Sequence, residues 1–322
     1  MCVLEVKNLT TQLRSDRGTV KAVDDVSFIL NKGEILGLVG ESGCGKSMTS
    51  MSIMQLLPKR QSSIQGSICF EGQDLLTMSE KELNHIRGNR ISMIFQDVMT
   101  SLNPLMTIGR QIMEPMMVHK GMSKAEARTE AIRLLDAVGI PMPEKRVDEY
   151  PNSLSGGMRQ RVMIAIALSC TPQVLIADEP TTALDVTIQA QILELMKKIR
   201  QEYGTSIIMI SHDLGVISEM CDRAAIMYCG NIVELGTIDQ IFDNPIHPYT
   251  RGLLRSIPSL DQATEELYSI PGVVPPLYDL PGGCKFADRC PQAQEKCRRA
   301  RPALIQVEEG HWVSCIGGAH HE

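Results

Sequence analysis

At 322 residues, with 43% hydrophobic and 22% charged residues, the chain has ample material for a packed core and room for a main domain with an appendage. A net charge of -6 offers no whole-chain case for a nucleic-acid partner. The most apolar segment, Val162 to Leu168, falls far short of the roughly 18 residues that cross a bilayer, and no charged-then-apolar leader follows Met1, so a cytosolic chain is expected, held at a membrane only through partners.

From Val3 to about Asp243, short β-rich runs alternate with helical patterns, which predicts an α/β domain. Ile35 to Val39 reads as a buried strand and leads into GESGCGKS, Gly40 to Ser47, which fits G-x-x-x-x-G-K-[ST] in the strand-to-helix context that the motif requires. Glycines let the backbone wrap around phosphates and aim N–H groups at them, and a helix N-terminus adds a favourable field. Lys46 would neutralise the β- and γ-phosphates of a nucleotide, and the Ser47 hydroxyl would ligate Mg²⁺. The candidate ATP-binding residues are Gly40, Ser42, Gly43, Cys44, Gly45, Lys46, Ser47 and Met48, with Asp178 further along the chain. Cys44 within this loop suggests sensitivity to oxidation or alkylation.

Ser92 to Phe95 is the next apolar strand, followed by a mostly helical stretch at about 103–169. Within it, Ser123 and Glu126 spell a capping box. Val174 to Ala177 is a strand that ends in two carboxylates, Asp178 and Glu179. Asp178 suits Mg²⁺ held through its water shell, and Glu179 suits polarising an attacking water. After Asp185, Ile188, Ile192, Leu195 and Ile199 form one helical stripe, and Ser206 to Ile210 is another strand. His212 follows it, and by itself reads as a satisfied polar residue.

At this point the chain resembles the ATP-binding cassettes. LSGGMRQ, Leu154 to Gln160, is similar to their signature motif, and LIADEPTTALD, Leu175 to Asp185, is similar to their Walker B segment and D-loop, with Asp185 in the latter. The resemblance spans roughly residues 3 to 240. It implies a P-loop NTPase cassette, with a RecA-like core and a helical subdomain, that hydrolyses ATP. It also implies that Gln96 is the Q-loop glutamine and a Mg²⁺ ligand beside Ser47 and Asp178, and that Glu179, His212 and Gln96 are catalytic. Ser155, Gly156, Gly157 and Gln160 would then meet the ATP of a partner cassette, since only one phosphate loop and one signature occur here. One departure stands out: no Phe, Tyr or Trp precedes Phe28 to stack on adenine, and Val20 or Val23 is left to supply apolar contact.

Beyond Asp243, prolines 245, 248, 258, 271, 275, 276 and 281 predict a loop-rich appendage, giving a nucleotide-binding domain at 1–243 and a C-terminal module at 244–322. FQDVMTSLNP, Phe95 to Pro104, HPYT, His247 to Thr250, and Pro271-Gly272 followed by four cysteines resemble the oligopeptide, dipeptide and nickel importers. Cys284, Cys290, Cys297 and Cys315 are spaced C-x5-C-x6-C-x17-C. Four thiolates can hold a [4Fe–4S] cluster or zinc, or they can be plain core cysteines; the absence of close C-x2–4-C pairs and the resemblance favour iron–sulfur. The basic residues around them, Lys285, Arg289, Lys296, Arg298, Arg299 and Arg301, read as a solvated face, and the module is expected to stand apart from hydrolysis.

The resemblance thus implies the ATPase of an importer for di- or oligopeptides, on the cytoplasmic side of the cell membrane. Its partners would be a second, related ATPase subunit, two transmembrane permease subunits and an extracellular or periplasmic substrate-binding protein, without nucleic acid. A nickel or metal-chelate importer is the nearest alternative. A cassette ATPase acting on nucleic acid is disfavoured by the single cassette and acidic charge, and a regulatory cassette without turnover by Glu179 and His212.

Overall fold

The computed structural model describes residues 1–15, 18–97, 101–182, 185–257 and 268–317. Val98, Met99 and Thr100 of the stretch after Gln96, Ala183 and Leu184 of LIADEPTTALD, and Pro258 of the tail lie outside the described residues.

In chain order the described strands are β1 (Cys2–Ser15), β2 (Gly18–Asn31), β3 (Ile35–Val39), β4 (Ser62–Phe70), β5 (Gln73–Asp74), β6 (Ile91–Ile94), β7 (Val174–Asp178), β8 (Ser206–Ser211), β9 (Arg223–Tyr228), β10 (Asn231–Thr237), β11 (Ile305–Glu308) and β12 (His311–Val313). The described α-helices are α1 (Lys46–Ile53), α2 (Glu80–Ile86), α3 (Ile108–Lys120), α4 (Lys124–Ala137), α5 (Pro143–Arg146), α6 (Gly156–Leu168), α7 (Val186–Tyr203), α8 (Leu214–Met220), α9 (Ile238–Asp243), α10 (Pro248–Arg255) and α11 (Glu295–Arg299). Among the described residues, no helix is long and apolar enough to cross a membrane. The chain divides into two compact units: Met1–Leu4, Leu30–Glu34 and Thr77–Met209 form the first, and Glu5–Ile29, Ile35–Leu76 and Ile210–Glu322 the second.

In the first unit the strands lie in the order β8, β7, β6. β6 and β7 pair in parallel, with Ile91 opposite Val174 and Ile94 opposite Ala177. All five residues of β7 are buried, as a continuous apolar run in a parallel sheet covered on both faces should be. The expected helical stretch is present: α3, α4 and α6 pack on one another. α4 buries Ala127, Ala131, Leu134 and Leu135, one stripe at helical spacing. Its capping box forms as expected, with the Ser123 hydroxyl accepting from the Glu126 N–H at 3.3 Å and the Glu126 carboxylate accepting from the Ser123 N–H at 2.8 Å. α6 is apolar nearly all round and is buried accordingly from Val162 to Ala165. α7 starts where the Asp185 carboxylate accepts from the Ile188 N–H at 2.9 Å. Ile192, Leu195 and Ile199 of its expected stripe are buried, whereas Ile188 at the front is only partly covered.

The second unit carries the sheet run β2, β1, β4, β5 and the run β11, β12, β10, β9, β3. β3 pairs in parallel with β9, and β9 turns back antiparallel into β10. The tail is indeed short of regular structure, but it is not an isolated appendage. Its hairpin joins the sheet edge, with Val313 of β12 opposite Glu234 and Trp312 opposite Leu235 of β10. A buried polar knot ties the same place: Glu234, 0% exposed, accepts from the Ile246 and His247 N–H groups at 2.7 and 3.0 Å and pairs with His311 Nε2 at 2.9 Å. Beside it Phe286 packs against Tyr228 and Tyr249, with ring centroids 5.2 and 5.4 Å apart.

Candidate active site

The phosphate loop belongs to the second unit. β3 is buried at every position, and its end turns into α1 through Gly40 to Gly45. A Cβ at Gly40 would lie 2.2 Å from the Met227 carbonyl oxygen, and one at Gly45 2.6 Å from that of Ala22, both with φ in the left-handed half of the map. Only glycine meets both demands at these two places. Lys46 is 6% exposed, and its ammonium donates to the carbonyls of Gly40 and Glu41 at 2.7 and 3.2 Å. The N-cap of α1, Gly45, offers no side chain to the first turn and that turn carries no acid, so the helix end is a field for an anion. Ser42 and Gly43 are exposed, and Ser47 and Met48 half-buried, at the mouth of this cradle.

Cys44 departs from its expected behaviour. It is 1% exposed, and burial pushes its thiol up despite the neighbouring Lys46, so the buried, protonated sulfur is shielded from oxidants and alkylating agents. Val23 is fully buried in the core and cannot reach a base, whereas Val20 is half-buried. His212 is exposed directly after β8, and Asp213 next to it caps α8 by accepting from the Gly215 N–H at 2.8 Å.

The acidic and signature residues lie in the first unit. Asp178 ends β7 at 3% exposure, and Glu179 follows with φ 49°, a left-handed conformation that a non-glycine residue adopts only when its surroundings hold it there. The Glu179 carboxylate accepts from Gln96 Nε2 at 2.8 Å and from the Thr182 hydroxyl at 2.9 Å. Gln96 and Glu179, 83 positions apart in the chain, are thus brought together. Gln160 sits deeper than a ligand contact requires: it is 2% exposed and donates to the Pro180 carbonyl at 2.7 Å, bracing the turn beyond Glu179. Ser155 caps α6 by accepting from the Met158 N–H at 3.4 Å. Gly156 has nothing within 4 Å of a would-be Cβ. Ser155, Gly156, Gly157, Arg161, Asp185 and Ile188 line an open hollow of about 350 Å³. Thr182 escaped the sequence reading; its position three residues after Glu179, ready to turn back on it, was the available signal.

The expected metal centre in the tail is overturned. Among the described residues no group of three or more His, Cys, Asp or Glu side chains is placed to hold a metal ion, so neither the [4Fe–4S] cluster nor zinc is retained. Cys284, Cys290, Cys297 and Cys315 are half-buried thiols: the first two flank the segment that ends in the 3-10 turn Ala287–Arg289, the third is in α11 and the fourth follows β12. Burial above all, and to a lesser degree the other three cysteines, pushes Cys284 up to about 11. Cys284 and Cys297 are joined through the backbone, Cys284 N–H to Cys297 carbonyl at 2.8 Å.

The basic flank is also corrected in part. Lys296, Arg298 and Arg299 are exposed as expected, but Lys285 and Arg289 have side chains only 11% and 5% exposed.

Residues 23–182 match the family described as ABC transporter, and residues 233–297 match the oligopeptide/dipeptide transporter C-terminal region. The oligopeptide transport ATP-binding protein AppD of Bacillus subtilis is 54% identical over 98% of this chain and 96% of its own length. OppD of Salmonella typhimurium, with the same description, is 53% identical over 98% of this chain and 93% of its own. Among solved structures, the dimeric post-hydrolysis state of the ATP-binding cassette MJ0796 bound to ADP and Pi is 28% identical, with a TM-score of 0.66 over 73% of this chain and 98% of that one. This chain therefore belongs to the ABC transporter ATPases, closely related to the peptide-import ATP-binding proteins. Its fold is the cassette's RecA-like core with a helical subdomain, and its chemistry is ATP hydrolysis by a P-loop enzyme.

Proposed function

We propose that the chain energises uptake of di- or oligopeptides, hydrolysing ATP on the cytoplasmic side of the cell membrane. The observation that carries the cargo is the near full-length relationship to proteins described as oligopeptide transport ATP-binding proteins. No particular feature of the chain points to nickel or to nucleic acid.

In this reading residues 1–243 bind and hydrolyse ATP, and residues 244–322 form the C-terminal module. Gly40 to Met48 cradle the phosphates, with Lys46 as their cation. The Ser47 hydroxyl, the Gln96 amide oxygen and the Asp178 carboxylate are hard oxygen ligands suited to Mg²⁺, which would offset charge on the phosphates. Glu179 polarises the attacking water, held in line by Gln96 and Thr182, and His212 acts at the γ-phosphate. Ser155, Gly156 and Gly157 present a helix N-terminus to a nucleotide held by another cassette, with Asp185 beside them, while Gln160 braces the turn beyond Glu179. The second cassette is a related subunit, and the assembly includes two permeases and a substrate-binding protein.

Uptake of labelled di- and oligopeptides, beside labelled nickel, in cells with and without this chain tests the reading. Peptide uptake is expected to vanish without the chain, to return with it, and not to return with Glu179→Gln. Loss of nickel uptake alone would move the assignment to a metal importer.

A further inference from the structure

The C-terminal module grips the phosphate loop. Arg289, next to Cys290, makes a two-pronged ion pair with Glu41, the loop's first residue after Gly40, at 2.7 and 3.1 Å. Its other donor and flank are occupied as well, by the Pro271 carbonyl at 3.1 Å and by the Tyr228 and Phe286 rings 5.8 and 6.0 Å away. Such a side chain is held rigidly, and a two-pronged guanidinium–carboxylate pair fixes direction as well as distance. Glu41 is gripped at its backbone too: its N–H donates to the Tyr249 hydroxyl at 3.0 Å. The Glu41 carbonyl in turn accepts from Lys46 and from the Cys44 N–H, both at 3.2 Å. A displacement of Glu41 therefore reaches the phosphate-binding lysine through one residue's own backbone.

A second grip lies on the loop's neighbour. Ala22 of β2 approaches both Gly45 and Gly230 closely. Two residues on, Asp24 pairs with Lys285 at 3.1 Å and with Arg301 at 2.8 Å, both from the same module. Lys285 also donates to the Cys229 carbonyl at 2.8 Å. Three cations that the sequence assigns to a solvated face thus converge on two carboxylates flanking the nucleotide cradle.

We propose that the C-terminal module sets nucleotide affinity, with Arg289 as a positioning residue that acts on the phosphate loop through Glu41, and Lys285 and Arg301 holding the adjacent strand through Asp24. Binding of MgATP and ordering of the module are then linked in both directions, because a coupling free energy is reciprocal. The inference rests on the reading of Gly40 to Ser47 as the ATP cradle.

The test is calorimetric titration of MgATP into the full chain and its variants, with the melting temperature of each as a folding check. Arg289→Met and Glu41→Gln should each weaken MgATP binding about ten-fold, and the double variant should be no weaker than either, because both changes remove one shared interaction. Arg289→Lys should recover part of the loss, and Arg298→Met, in an exposed pair with Asp288, should bind like the wild type. In hydrogen exchange, MgATP should protect residues 284–300 in the wild type and not in Arg289→Met. If Arg289→Met does not fold, Glu41→Gln and Arg289→Lys carry the comparison. Folded Arg289 and Glu41 variants that bind within about two-fold of wild type, or losses that multiply in the double variant, would overturn the brace. Lys46→Ala separates the two readings. If it binds like wild type, the cradle assignment itself is wrong; if it loses binding while Arg289→Met keeps it, only the brace fails.

Discussion

Two helix N-termini in this chain, both proposed to meet phosphate, are built in opposite ways. At the start of α1 the cradle is closed: Lys46 is buried, Gly40 and Gly45 pack against backbone oxygens, and C-terminal residues hold Glu41 from outside. At the start of α6 the end is open: Ser155 and Gly156 are exposed and face a hollow whose lining cation, Arg161, is half-buried and spends its guanidinium on the Val138 carbonyl and the Gln191 side chain. A closed cradle can pre-organise charge before its ligand arrives, which makes each hydrogen bond worth more than in water. An open one has field but little enclosure, so it adds to a nucleotide already held elsewhere. In the proposed reading the same local device, helix N–H groups and an aligned dipole, serves a primary site in one place and half of a shared site in the other.

The contrast can be broken in several ways. The largest effect is expected from Glu179→Gln, which should lower ATP turnover in the assembled transporter by about 10²–10⁴-fold while leaving nucleotide bound. Steady-state hydrolysis and filter binding measure the two halves, and normal turnover would show that another group serves as the base. Next, Lys46→Ala should weaken MgATP binding to the full chain by about 10²-fold, since it removes the one buried ammonium of the closed cradle. At the open end, Gly156→Asp places a negative charge where there is room for a side chain. Turnover in the assembly should fall by at least about ten-fold from charge repulsion, while MgATP affinity of the isolated chain stays within about two-fold. A matching loss of affinity in the isolated chain would mean that the two ends are not separable.

The smallest effect concerns acid. His247 is buried, and that burial depresses its pKa to about 4 against the opposing pull of Glu234. The folded state therefore takes up this proton later than the unfolded chain, whose histidine titrates near 6.5. Its neutral form contributes stability in full above about pH 6.5; that contribution shrinks as pH falls towards 4, by at most about 1.4 kcal/mol per pH unit, and stops changing below. Protonation at Nδ1 would also cost the Tyr249 N–H its acceptor, 3.0 Å away, and Tyr249 is the residue whose hydroxyl meets the phosphate loop. Denaturant melts between pH 7 and 4 should show a shallower slope for His247→Gln; equal slopes would place the acid sensitivity elsewhere.

How much of this could be read without a structure differs sharply along the chain. The phosphate loop, the Asp178-Glu179 strand end, the helical stretch and the Ser123 capping box depend on residues a few positions apart, where steric and hydrogen-bond rules act locally. Their local geometry is as expected: β3 turns into α1 through Gly40 to Gly45, β7 ends at Asp178, and the capping box forms at Ser123. The tail is not legible in this way because its role lies in contacts across large sequence distances. Arg289 meets Glu41 across 248 positions and Lys285 meets Asp24 across 261. Spacing alone cannot tell whether four cysteines converge in ligating geometry, nor whether a lysine near them faces water or a buried carboxylate.

From the residue order alone follow the class of enzyme and its nucleotide motifs, because each motif carries its chemistry within one turn of backbone. Only the tertiary structure decided that Gln96 and Thr182 clasp Glu179, that Cys44 is sealed from solvent, and that no metal centre forms among the described residues of the tail. It also decided that the basic tail grips the phosphate loop. Burial and long-range pairing are properties of the packed chain, and a charge acquires its role from what is buried beside it.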